Sequence, residues 1–74
     1  MSVAKVIEIT ASSPTSFAEA ARAGIAKAAE TVHGIRGAWI AEEYVVVEED
    51  AITEFRVTMR VSFVLDCDAL AAIH

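Results

Sequence analysis

The stretch EFRVTMRVSF, residues 54–63, decides the fold of this chain. Its apolar residues alternate strictly with polar ones, so an extended strand here has one apolar face and one polar face. Such a strand belongs in a sheet that buries one face and leaves the other open. We therefore predict a strand from residue 52 to residue 65 with one covered face.

A strand and a helix precede this stretch. Residues 4–10 alternate in the same way and predict the first strand. Ser13 suits a helix N-cap and Pro14 suits the first helical position. Gly34 is the residue type that ends a helix in a left-handed conformation, so we predict a helix over residues 14–33. Its apolar stripe consists of Phe17, Ala21, Ile25, Ala28 and Val32.

The second strand is predicted over residues 35–48, and it forms a hairpin with the third around an acidic turn. A right-handed crossover from the first strand to the second leaves room for the third strand between them. The predicted class is α+β: a β-α-β-β chain whose three-stranded antiparallel sheet, in the order 1-3-2, wraps on one helix. We expect residues 1–74 to form a single domain, with residues 66–74 as a short tail.

The composition predicts self-association. Hydrophobic residues are 55% of the 74 residues, and the mean hydropathy is +0.48. A chain this short buries only about 60% of the surface of its unfolded form, so its own core is marginal. The single cysteine, Cys67, excludes an intrachain disulfide, and no Cys/His spacing suggests zinc. We therefore predict an obligate oligomer.

Charge and hydropathy argue against two classes of partner. The net charge is −5 with 6 basic residues, which disfavours nucleic-acid binding. No apolar run approaches the roughly 18 residues that suggest a membrane span. The N-terminus lacks the apolar segment of a signal peptide, and a lone thiol fits a reducing compartment. The expected location is cytoplasmic, without nucleic-acid or membrane partners.

The sequence offers no catalytic group. Cys67 has no His or Lys close in sequence to activate it, and the serines near the helix start suit capping. We predict that the protein is not an enzyme, and we assign no catalytic residue and no metal ligand.

The acidic residues around the hairpin have two interpretations: a solvated turn, or a site for a hard cation if oxygens from separate elements converge. They are Glu42, Glu43, Glu48, Glu49 and Asp50.

Trp39 is the only tryptophan of the chain. Its parity on the second strand places it, with Gly37, on the face away from the helix. Arg56 and Arg60 of the third strand share that face. An aromatic ring near guanidinium groups suits a flat, anionic, conjugated ligand. Tryptophan is also enriched at subunit interfaces, so the pattern alone leaves both interpretations open.

Three segments together resemble the dodecin family: residues 13–17, residues 29–32 and residues 54–63. The resemblance covers about Val3 to Leu65. It implies small β-α-β-β proteins that assemble as hollow homododecamers. It also implies flavins stacked in pairs between tryptophans of two-fold-related subunits, for storage or sequestration rather than catalysis. Some bacterial members bind coenzyme A, and a subgroup without the flavin tryptophan includes a calcium-binding member.

Two positions of the implied flavin site differ in this chain. The family's stacking tryptophan falls on Gly37, and Trp39 lies two residues later, which keeps the face but moves the ring about 7 Å. The family's glutamine at the isoalloxazine edge falls on Arg56, which donates hydrogen bonds but cannot accept them. The resemblance implies that Trp39, Arg56 and Gly37 form a site for FMN, FAD or riboflavin. The alternative is a cage that does not bind flavin and holds coenzyme A or a cation such as calcium.

Overall fold

The computed structural model describes residues 3–65, in which one helix lies on a three-stranded sheet. The elements are β1 (Val3–Ser13), α1 (Phe17–Ala29), β2 (Ile35–Glu48) and β3 (Ala51–Leu65). The sheet order is β1-β3-β2, and both neighbouring pairs are antiparallel. The predicted α+β class, the β-α-β-β order and the central position of the third strand are confirmed.

The core lies between β3 and the helix. Val57, Met59 and Val61 of β3 are at most 1% exposed, and they form one cluster with Ala20 of α1. Arg60, on the other face of β3, is exposed, as the alternation predicts. Other apolar side chains are partly buried against this cluster: Ile7, Ile9, Ala11, Phe17, Ala21, Ile25 and Ile35.

Two small residues, Ala20 and Gly24, are the buried residues of α1. They let the helix approach the sheet closely. A Cβ added at Gly24 would lie 2.9 Å from the Cβ of Ala11 and 2.7 Å from the terminal methyl of Met59. Phe17, Ala21 and Ile25 of the predicted apolar stripe do pack against the sheet, but they are only partly buried. The fully buried alanine is Ala20, which the predicted stripe did not include.

The helix begins later than predicted. Ser13 is the last residue of β1, and its hydroxyl accepts a hydrogen bond from the backbone N–H of Thr15 at 3.0 Å. The N-cap is Ser16, whose hydroxyl accepts from the N–H of Glu19 at 3.0 Å. Both serines therefore bond to the backbone as caps do, but only Ser16 opens the helix. Pro14 lies in the bend between them.

The helix also ends earlier than predicted. Ala29 is its last residue, and the C-cap Glu30 is right-handed. Gly34 has the left-handed conformation expected of it, with φ of +80°, but it stands just before β2 and not at the helix end. Its carbonyl accepts a hydrogen bond from the N–H of Val64 at 3.1 Å. Gly34 therefore fixes the entry of β2 against β3.

Glu49 and Asp50 form the turn between β2 and β3, so the third strand begins one residue earlier than predicted. Both have positive φ, 51° and 66°. Positive φ at both central residues is the type I′ pattern, for which Asn-Gly is the favoured sequence. The turn thus holds Glu49 in a conformation that glutamate rarely adopts, whereas aspartate, as at residue 50, tolerates it better.

We expect the double substitution Glu49→Asn, Asp50→Gly to raise the free energy of unfolding by about 1 kcal/mol, because asparagine tolerates left-handed backbone better than glutamate, and glycine better than aspartate. Thermal melts followed by circular dichroism measure this change. Asp50→Ala removes the charge of Asp50, as the single substitution Asp50→Gly does, without relieving the backbone, so it should give no gain. Equal gains from Asp50→Gly and Asp50→Ala would contradict the explanation.

Candidate functional site

The candidate site lies on the face of the sheet that α1 does not cover, called the open face below. The register places Gly37 opposite Ser62 and Trp39 opposite Arg60, while Glu8 of β1 pairs with Arg60 from the other side. Directly paired residues project to the same face, so Trp39, Arg60 and Glu8 form one row across three strands. The β3 residues of the open face are Glu54, Arg56, Thr58, Arg60, Ser62 and Val64. The prediction that Gly37 and Trp39 share this face is confirmed.

Trp39 is 59% exposed, and a groove of about 340 Å³ lies beside it. A Cβ added at Gly37 would meet nothing within 4 Å, so the absence of a side chain there leaves space next to the indole. The volume falls near the lower end of the range for small-molecule sites, about 300–1,000 Å³. The groove, called the Trp39 groove below, is lined by Arg36, Gly37, Ala38, Trp39 and Ser62.

Arg56 lies further along the open face, opposite Tyr44. It lies four positions before Arg60, the partner of Trp39, which corresponds to about 13 Å along β3. Within one chain the structure therefore does not bring Trp39 and Arg56 together.

The guanidinium of Arg56 is held by a carboxylate of its own strand. Its Nε donates to Oε2 of Glu54 at 3.1 Å, and its Nη2 lies 3.0 Å from the same oxygen. Hydrogen bonding from Ser12, and then from Arg56, lowers the pKa of Glu54. Glu54 is therefore ionised at neutral pH, and any contribution of this pair to stability is lost only as the pH falls through that lowered pKa.

Tyr44 is an exposed aromatic residue of the open face that the sequence pattern did not identify. It is 62% exposed and pairs with Arg56. The register of β2 shifts between Ile40 and Glu42, and this bulge reverses the parity of the strand. A count of every second residue from Trp39 therefore assigns Tyr44 to the helix-covered face, although it lies on the open face. A second groove beside it, of about 330 Å³ and called the Tyr44 groove, is lined by Thr10, Glu42, Glu43, Tyr44, Arg56 and Thr58.

The acidic residues around the hairpin do not converge within one chain. Glu42 pairs with Thr58 on the open face, whereas Glu43 pairs with Val57 on the helix side. Among residues 3–65, no three His, Cys, Asp or Glu side chains lie close enough together to hold a metal ion.

Cys67 and the predicted tail lie outside the described residues. In the part of the chain that the structure describes, no helix is long and apolar enough to cross a membrane.

A comparison with family models decides the relationship of this fold to known proteins. The model named Dodecin matches residues 3–66. The chain belongs to the dodecin family. A relative named calcium dodecin, from Mycobacterium tuberculosis, is 38% identical to it over 63 residues, which cover 85% of this chain and 89% of the relative. The resemblance seen in the sequence is thus confirmed.

Solved dodecin structures share the fold. The dodecin from Streptomyces davaonensis is 31% identical, with a TM-score of 0.84 over 88% of this chain and 96% of that one. The calcium-chelating calcium dodecin of Mycobacterium tuberculosis, described as having a novel calcium-binding site, is 36% identical, with a TM-score of 0.75 over 82% and 87%. A Thermus thermophilus protein reaches a TM-score of 0.84 over 89% and 97%, at 24% identity. This last likeness supports the fold alone.

Proposed function

We propose that this dodecin binds and sequesters a flavin on the open face, with the indole of Trp39 as the stacking surface. One observation carries the proposal: Trp39 is 59% exposed and stands beside the open space above Gly37. A side chain kept only for the core of the chain would be covered by α1. An exposed indole next to an empty groove instead offers a flat aromatic surface to a flat ligand.

A second copy of the chain completes the proposed site. Arg56 is about 13 Å from the partner of Trp39 along β3, so we place its contact with a ring on Trp39 across to a second copy whose open face is apposed. Exposed apolar side chains on both faces of the sheet support assembly, because so much apolar surface is uncommon on a monomer. They include Val3, Val6, Ile40, Tyr44, Val47, Ile52 and Leu65. The proposed assembly is the homododecamer that the family resemblance implies.

Size-exclusion chromatography with light scattering tests this assembly. We expect a mass near twelve times that of the 7.9 kDa chain. The peak should keep that mass on dilution, because an interface built from the exposed side chains of both sheet faces is largely apolar. A monomer at micromolar concentration would contradict the proposed site as well as the assembly.

The proposed role is storage rather than catalysis. The open face combines arginines, glutamates and hydroxyls; the hydroxyl of Ser12 lies beside the carboxylate of Glu54, whose lowered pKa makes it a weak general base. Stacking of a flavin on an indole would quench its excited state and limit its photochemistry. We place this role in the cytoplasm, where a thiol such as that of Cys67 stays reduced.

A fluorescence titration tests flavin binding. Purified protein freed of bound ligand is added to riboflavin, and the emission of the flavin is followed. We expect saturable quenching at micromolar protein, because the indole stacks on the ring. Free tryptophan at the same concentration controls for collisional quenching, and it should give no saturation. If the protein quenches no more than free tryptophan does, the proposed function is wrong.

A calcium-binding cage is the second candidate, and the 38% identical relative named calcium dodecin favours it. Because the carboxylates of residues 3–65 do not converge within one chain, such a site would need oxygens from more than one copy. Titration calorimetry with calcium tests it, and no heat at millimolar calcium would remove it. Coenzyme A, the other ligand that the resemblance implies, is tested by the same method.

A further inference from the structure

We infer that Glu54 is a positioning residue of the proposed flavin site: its carboxylate holds the guanidinium of Arg56 in the orientation from which Arg56 donates to a ring carried by a second copy. This inference rests on the proposed function and adds a residue that sets how tightly the ring is held. Glu54 acts through Arg56 and does not itself contact the flavin. The argument starts from the pair that the two side chains form.

The pair fixes the plane of the guanidinium as well as its position. Nε of Arg56 donates to Oε2 of Glu54 at 3.1 Å, and Nη2 lies 3.0 Å from the same oxygen. Two contacts from one rigid, planar group leave it little freedom to turn. Nη1 is outside this pair, so it is the nitrogen through which Arg56 would donate to a ring carbonyl.

Glu54 is itself held from the neighbouring strand. Ser12 of β1 pairs with Arg56 across the sheet, and a hydrogen bond from its side chain, followed by that from Arg56, lowers the pKa of Glu54. The Glu54 side chain is 31% exposed, against 47% for that of Arg56. A carboxylate that is already held from β1 loses less conformational freedom when it binds the guanidinium. Glu54 is therefore a better anchor than a fully exposed glutamate.

A second carboxylate competes for the same arginine. Glu42 pairs with Thr58, the next open-face residue of β3 after Arg56, and it lines the Tyr44 groove together with Arg56. Such a diagonal neighbour is within reach of a long side chain. A guanidinium bound to Glu42 would point back along β3, whereas Glu54 holds it toward the hairpin turn. Glu54 thus selects one of two orientations of Arg56.

Quenching titrations with riboflavin, on the intact oligomer, test this inference. Riboflavin is neutral, so the altered net charge of a variant does not itself attract or repel it. Glu54→Gln removes the charge that holds Arg56 and should weaken binding by about three- to fivefold, the effect of a partly exposed ion pair. In the background of Arg56→Ala, the same substitution should change the affinity by less than about 1.5-fold, because its target is gone.

Two further variants make the test specific. Adding Glu42→Gln to Glu54→Gln should restore part of the affinity, because the competing carboxylate is then neutral. Glu19→Gln is the matched control: it breaks the pair between Glu19 and Arg22 on the outer surface of α1 and should leave riboflavin binding unchanged. Each variant is compared at matched chromatographic mass. If Glu54→Gln fails to assemble, Ser12→Ala replaces it, with an expected loss of about twofold that also depends on Arg56.

The outcomes separate this inference from the proposed function. Equal riboflavin affinities of the wild-type protein and Glu54→Gln would overturn the inference and leave flavin binding intact. So would an equal loss with and without Arg56, because Glu54 would then act only through the fold or the assembly. Absence of quenching by the wild-type protein would overturn the proposed function itself. A loss that appears only when Arg56 is present supports the inference.

Discussion

Trp39→Ala should weaken flavin binding by about 5- to 150-fold, the loss expected when a stacking ring worth roughly 1–3 kcal/mol is removed. The fold should persist, because Trp39 is 59% exposed and lies outside the buried cluster of Ala20 and the β3 residues. Trp39→Phe keeps an aromatic surface and should retain part of the affinity. Quenching titrations on the three proteins measure the series, at matched chromatographic mass.

Tyr44→Ala is the matched control for this series. Tyr44 has similar exposure, 62%, on the same face, but it lies two rows further along β3, beside the negatively charged groove. Its removal should change flavin affinity much less than removal of Trp39. If Tyr44→Ala abolishes binding while Trp39→Ala does not, then the ligand lies at the other groove and Trp39 is an interface residue.

Gly24→Val should lower the free energy of unfolding by about 3 kcal/mol, because added carbon atoms overpack the contact between α1 and the sheet. A Cβ alone at this position would be 2.9 Å from the Cβ of Ala11, an atom fixed to the backbone of β1. The helix must therefore move away from the sheet. Gly24→Ala should cost less, because Met59 can turn its terminal methyl aside and alanine favours helix by about 1 kcal/mol over glycine.

Gly37→Val is the control for stability, since a Cβ at Gly37 meets nothing within 4 Å and valine suits a strand. Thermal and denaturant melts should show little loss for Gly37→Val and a large one for Gly24→Val. Equal losses at the two glycines would contradict the account of Gly24. Because Gly37 borders the Trp39 groove, the same variant should also reduce flavin binding without destabilising the fold.

The third strand shows how much of the fold the sequence determines. Its alternation is unbroken from Phe55 to Phe63, and the structure buries Val57, Met59 and Val61 while Arg60 stays exposed. A central strand touches elements on both edges, so its pattern constrains the whole sheet. The order β1-β3-β2 then follows from the handedness of the crossover.

The helix ends were predicted less well, because several residues there can serve as a cap. Ser13 and Ser16 both accept hydrogen bonds from backbone N–H groups two or three residues later, and the sequence does not state which one opens the helix. The outcome depends on how far β1 continues along β3. That pairing is a tertiary contact, and it extends to Ser13 opposite Phe55.

The site was predicted in part. Parity from the strand pattern correctly placed Trp39 and Gly37 on the open face. It failed beyond Ile40, because the bulge before Glu42 reverses the parity and no glycine or proline marks it. The sequence did carry one signal of this bulge: the alternating apolar residues change from even-numbered positions, Ala38 and Ile40, to odd-numbered ones, Val45 and Val47. Arg36, which lines the Trp39 groove, was missed for a related reason: it is the additional residue of a bulge between the paired residues Ile35 and Gly37.

A crystal structure of the protein soaked with FMN tests the central claim most directly. The account predicts the isoalloxazine ring stacked on the indole of Trp39, on the open face and between two copies of the chain. Trp39 packed against a neighbouring chain, with no flavin density beside it in crystals saturated with FMN, would contradict the account.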